Sequence, residues 1–208
     1  MMPTAKRVNS KVLICGDSFA ADWTVKYSGQ GWPNLLCTDY TVTNVAQAGC
    51  SEYRIYQQIR QQSLDNYDTV IVWHTSPYRI PVERHPVHAG DALHGHSDLL
   101  YTDIKSHAES QPELQCIAEF YERYFDAEYA IFVYKLILEQ IVIATHRHPN
   151  VIHAMAQDWQ QIQYRIPGLL DFYRTWRKHA GSINHFDNQG NQLVYKKIKE
   201  RINEQATI

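Results

Sequence analysis

Two short stretches of the chain are almost continuously apolar. Lys11 to Cys15 runs into Gly16-Asp17-Ser18, and Thr69 to Trp73 follows the turn-forming Asp65-Asn66-Tyr67-Asp68. Runs of this length bounded by turn residues predict strands buried on both faces, the habit of parallel sheets. Tyr40 to Val45 alternates with β-branched residues and predicts another strand, and Asn150 to Ala154 predicts a fourth. Between them the period changes. Ile55, Tyr56 and Ile59 after Ser51 have the spacing of an amphipathic helix with Ser51 as its N-cap. Ile131, Tyr134, Leu138, Ile141 and Val142 repeat at helical intervals within Glu113 to Thr145, a stretch long enough for two helices in succession. Val194, Ile198 and Ile202 place a last helix from about Gln189.

Alternating strands and helices predict an α/β fold: a mainly parallel sheet of four or five strands between helices. Pro77 to Pro112 breaks the pattern. It lacks periodicity and is rich in His, Gly, Pro and Asp, so it reads as an insertion after the third strand, at about 77–112. Neither an internal repeat nor a linker is visible, and 208 residues fit one domain, 1–208.

Composition narrows the function classes. Hydrophobic residues make up 44% and charged residues 20%, as in ordinary globular proteins. A formal net charge of -2 predicts no nucleic-acid partner, because phosphate contacts need clustered Lys and Arg. The most apolar helical stretch, Tyr129 to Ala144, is interrupted by Lys135, Glu139 and Gln140, which predicts no insertion into a membrane. Met1 to Ser10 carries no apolar run of signal-peptide length. Cys15, Cys37, Cys50 and Cys116 lack the paired spacing of a metal or redox motif, so free thiols and a cytoplasmic location are expected.

Candidate chemistry lies at both ends of the chain. Ser18 follows the first buried strand and so falls at the carboxyl edge of the sheet, where open α/β folds place their sites. A Gly-Asp-Ser sequence can equally be a local turn in which Asp and Ser bond nearby amides. Far along the chain, Asn184-His185-Phe186-Asp187-Asn188-Gln189-Gly190-Asn191 sets a histidine just before the final helix. Taken alone, His185 is as compatible with a capped surface turn.

Together these segments resemble the SGNH, or GDSL-type, hydrolases, a family of esterases, lipases and carbohydrate deacetylases with a flavodoxin-like three-layer fold. Gly16, Asp17 and Ser18 match the first motif, Asn44 and Gly49 the second, and His185 with Gly190 the position of the catalytic histidine. The resemblance implies Ser18 as nucleophile, His185 as base, and the N–H groups of Ser18 and Gly49 as an oxyanion hole. It implies an ester substrate, a small molecule or a carbohydrate bearing an O-acetyl group, and no metal or organic cofactor.

Two motifs depart from the family pattern. The third should supply Gly and Asn near Trp73-His74-Thr75-Ser76 and has neither; Thr75 or the ring of His74 stands where the side-chain oxyanion donor belongs. The acid expected three residues before the histidine is replaced by Ser182. Ser182 or its carbonyl, Asp187, or a distant carboxylate such as Asp158 remains to orient the ring. These departures keep open a second reading, a catalytically silent module that binds a glycan or a protein partner through the same cleft.

Three further features carry two readings each. His85, His88, His94, His96 and His107 contain His-x-x-His and His-x-His spacings, but no Cys or carboxylate pattern accompanies them, so a polar lid or substrate-selecting loop is expected rather than a metal site. Arg79 could receive an anionic substrate group or pair with Glu83. Phe120, Tyr121, Tyr124 and Phe125 could line an acyl or sugar pocket or simply pack at helical spacing.

Overall fold

A computed structural model of the chain describes residues 10–158 and 166–205. The stretch read for a signal peptide lies almost wholly outside them. In chain order the elements are β1 (Lys11–Gly16), α1 (Trp32–Leu36), β2 (Thr41–Asn44), α2 (Glu52–Arg60), β3 (Thr69–Trp73), α3 (Tyr101–Ala108), α4 (Gln115–Arg123), α5 (Ala127–Thr145), β4 (Val151–Met155), β5 (Leu170–Asp171), α6 (Tyr173–Lys178), β6 (Ala180–Ile183) and α7 (Asn188–Gln205). Five strands form one parallel sheet in the order β2-β1-β3-β4-β5, the flavodoxin-like order.

The central strands show why their runs are apolar throughout. Along β1, Val12 and Ile14 face a cluster containing Trp32 and Leu36 of α1 and Val194, Ile198 and Ile202 of α7. Leu13 and Cys15 face the opposite cluster, with Ile55 and Ile59 of α2 and Ile141 of α5. β3 divides likewise, Ile71 and Trp73 against Val70 and Val72. Each fully buried aliphatic side chain contributes about 1.5–3 kcal/mol, so these two strands anchor the three layers. The α/β three-layer sandwich is the expected fold class. No described helix is long and apolar enough to cross a membrane.

The insertion differs from the expectation of an unstructured excursion, because it contains α3. That helix is polar except at Ile104 and Ala108, the two positions it buries, so hydrophobic periodicity could not reveal it. The insertion is also fastened to the turn after β2. Asp98 N–H donates to the Gly49 carbonyl at 3.0 Å, Asp98 Oδ2 accepts from Ser51 N–H at 2.9 Å, and Ser97 Oγ donates to the Ala48 carbonyl at 3.0 Å.

Candidate active site

The carboxyl end of β1 turns sharply at Gly16, where a Cβ would lie 2.8 Å from Trp73 Cβ. The next residue, Asp17, is fully buried. Its carboxylate accepts from Phe19 N–H at 2.9 Å and from the Thr75 hydroxyl at 2.7 Å, while its carbonyl accepts from Ala20 and Ala21 N–H. Burial is the largest influence on that carboxyl and pushes its pKa up to about 6 against these bonds. Asp17 thus pins the loop that presents Ser18.

His185 arrives from a two-residue hairpin turn. Ile183 and Phe186 pair across it, and both central residues, Asn184 (φ 51°) and His185 (φ 59°), have positive φ, as a type I′ turn requires. Asn suits that backbone; His at the second position replaces the usual Gly at a cost of about 1–2 kcal/mol. Gly181 N–H donates to the His185 carbonyl at 3.1 Å and holds the turn shut. Asn184 then ties it to the serine loop, its Nδ2 donating to the carbonyls of Ala21 at 2.9 Å and Ser18 at 3.3 Å. Gly31 makes room for this clamp, since a Cβ there would lie 1.7 Å from Asn184 Oδ1.

The two turns bring Ser18 and His185 together across 167 residues, with Nε2 of the ring 2.7 Å from the serine Oγ. The imidazole lies against Phe19 (ring centroids 4.6 Å) and Trp23 (5.5 Å). Burial, followed by the charges of Arg79 and His94, lowers its pKa to about 4, so at neutral pH the ring is uncharged and able to accept a proton. Neither Ser18 N–H nor Gly49 N–H has a protein acceptor among the described residues. Gly49 has φ 77°, and a Cβ there would meet Ser97 Oγ at 2.3 Å, so only glycine fits this turn.

Other residues singled out in the sequence lie elsewhere. Thr75 is fully buried, and its single hydroxyl proton goes to Asp17, so it does not serve as an oxyanion donor. His74 is equally buried; Nδ1 lies 2.6 Å from Glu52 Oε1 and Nε2 lies 3.0 Å from His153 Nδ1. Neither replaces the missing Asn. Ser182 is an exposed residue of β6 and forms no hydrogen bond to His185. Asp187 pairs with His179 at 3.3 Å and caps Gly190 N–H at 2.6 Å. Among the described residues His185 forms no ion pair with any carboxylate. Two side chains escaped the sequence reading. Asn184 was visible only as an αL-tolerant residue beside the histidine, and Glu52 as an acid in the first turn of α2.

Three histidines of the insertion, His85, His88 and His107, gather around Asp103. Its Oδ2 lies 3.3 Å from His85 Nε2 and 3.0 Å from His88 Nε2. The donor types suit a metal ion, but His85 Nδ1 accepts from the N–H groups of Val87 and His88 at 3.2 and 3.3 Å. Those bonds put the ring proton of neutral His85 on Nε2, which removes the lone pair a metal would need.

No family model matches the chain, and no curated protein matches it. Among solved structures, a lipase/acylhydrolase from Enterococcus faecalis is similar at a TM-score of 0.37 and 12% identity, over 94% of this chain and 96% of that one.

Proposed function

We propose that the protein is a serine hydrolase of the SGNH type that cleaves a carboxylic ester through an acyl-enzyme on Ser18. The carrying observation is the 2.7 Å contact between His185 Nε2 and Ser18 Oγ at the open edge of the sheet. Ser18 Oγ attacks the ester carbonyl carbon as its proton passes to His185 Nε2. The tetrahedral oxyanion is held by the N–H groups of Ser18 and Gly49, both free of protein acceptors among the described residues. Collapse expels the alcohol, which takes the proton from His185. Water, deprotonated by the same ring, then attacks the acyl carbon and releases the acid, restoring Ser18.

The orientation that a triad carboxylate would supply is supplied by the backbone. The positive-φ turn, the Gly181 bond and the Asn184 clamp hold the residue that carries the imidazole, and Phe19 and Trp23 lie against the ring. A missing oxyanion donor costs about 10²–10³-fold in turnover, so this reading predicts a slow enzyme. O-acetyl groups on carbohydrates belong to the substrate class we propose.

The test is incubation with short-chain nitrophenyl esters followed by peptide mapping. An acyl adduct on Ser18, absent from Ser18→Ala, is the expected result. No release would favour a binding module that uses the cleft without chemistry, and release that survives in Ser18→Ala would place the chemistry on another group.

A further inference from the structure

A cavity of about 350 Å³ reaches Ser51, two residues past Gly49, with neither Ser18 nor His185 in its lining. Its walls are mainly apolar and aromatic, with Phe120, Phe125 and Tyr134 among them, and Arg79 belongs to the lining. The helical aromatic run of α4 therefore reaches a cavity as well as packing.

Arg79 is unusual among the charged groups here. Its only hydrogen bond within the described residues is from Nη1 to the Gly49 carbonyl at 3.1 Å. It forms no ion pair among them, and Glu83, its expected partner, is exposed. Its Nε is buried without an acceptor. The two carboxylates that also line the cavity are committed elsewhere. Glu52 is bound by His74 Nδ1 and by Thr75 N–H at 3.1 Å, and Asp126 caps α5 by accepting from Tyr129 N–H at 2.9 Å. The charge of Arg79 acts on the Asp17 carboxyl, yet a guanidinium with five donors and one neutral acceptor, set in an apolar wall, keeps donors for a ligand.

We propose that this cavity binds the apolar or aromatic body of an organic anion, and that Arg79 receives the carboxylate or phosphate the ligand carries. This deepens, and rests on, the esterase reading: the substrate of Ser18 is an ester that also bears a negative charge. The Gly49 carbonyl held by Arg79 belongs to the residue whose N–H faces the oxyanion, so the ligand's charge and its reacting carbonyl meet one turn of chain. The charge of Arg79, which adds to the larger effect of burial in lowering the His185 pKa, is answered when the anion binds, which makes the ring a stronger base in the complex than in the free enzyme.

Binding can be measured without turnover. Calorimetry on Ser18→Ala compares naphthalene-acetate with naphthalene-acetamide, which has the same shape and no charge. The acid is expected to bind about 10-fold tighter, and Arg79→Gln in the same background to erase the difference. Equal binding of acid and amide, an advantage that survives Arg79→Gln, or no binding of either overturns the proposal. Should Arg79→Gln fail to fold, Arg79→Lys exchanges the fork for a point donor; the acid's advantage is expected to shrink by about 3-fold, and an unchanged advantage overturns the proposal. An acid preference lost in Arg79→Gln, in a native chain that turns over no ester, supports the anion site and overturns the esterase reading.

Discussion

Two histidines divide between them the components a catalytic triad would need. His74 has the carboxylate, Glu52, at 2.6 Å and its other nitrogen 3.0 Å from His153, but no serine or cysteine among the described residues bonds to it. His185 has Ser18, the proposed nucleophile, at 2.7 Å and among the described residues no carboxylate. His74 directly follows β3 and is fully buried, whereas His185 stands on a strained turn over the carboxyl end of the sheet. A His–carboxylate pair is thus a poor locator of chemistry by itself. What distinguishes His185 is a hydroxyl oxygen beside it, with two N–H groups on the neighbouring turns that have no protein acceptor among the described residues.

The comparison breaks most sharply at His185. His185→Ala is expected to lower kcat/KM by about 10⁴-fold, with the folded state retained; steady-state kinetics beside thermal unfolding separates the two. His74→Ala should do the opposite. It leaves Glu52 buried without its partner and is expected to cost about 3 kcal/mol in denaturant unfolding, while turnover per folded molecule stays close to native. A His74 variant that is stable and inactive would reverse the assignment of the two sites.

The turn itself gives a finer contrast. Both His185→Gly and His185→Ala remove the base, but Gly accepts φ 59° without strain, so the Gly variant is expected to be about 1 kcal/mol the more stable in chemical denaturation. Equal stabilities would mean that the turn relaxes in the Ala variant.

Acid separates the histidines by titration. His185 and His153 have pKa values lowered to about 4 and about 3, chiefly by burial. In the unfolded chain both take up protons near pH 6.5, so they withdraw stability as pH falls from there towards their folded values. Asp17 acts in the opposite sense. Raised to about 6 in the fold, it holds a proton that the unfolded chain releases near 3.8, so its contribution declines as pH rises through that interval. The profile of kcat/KM reports the free enzyme and is expected to rise with a midpoint near 4; a midpoint of 6 or above would place the essential base on a different group. Ser182→Ala, the mildest change, is expected to leave kcat/KM within about 2-fold, because an exposed side chain without a bond to His185 orients nothing.

The central strands of the sheet were legible because burial on both faces imposes a continuous apolar run bounded by turn residues. Thr69–Trp73 has the observed bounds of β3, and Lys11–Cys15 falls one residue short of the observed β1. α1, β5 and β6 were missed because segments of two to five residues hold too few positions to show a period. At the site, the resemblance pointed to Ser18 and His185, which the fold brings into contact. Motif alignment misled at Thr75, because it treats a position as a role, and the hydroxyl there is spent on Asp17. Asn184 escaped because the clamp joins residues far apart in sequence, and no local pattern reports where an amide will point.

The most direct test is fluorophosphonate labelling of the native chain beside His185→Ala and His74→Ala. The account predicts a phosphonylated Ser18 in the native chain and in His74→Ala, and almost none in His185→Ala. Labelling that survives His185→Ala, or that vanishes with His74→Ala in a folded protein, would contradict it.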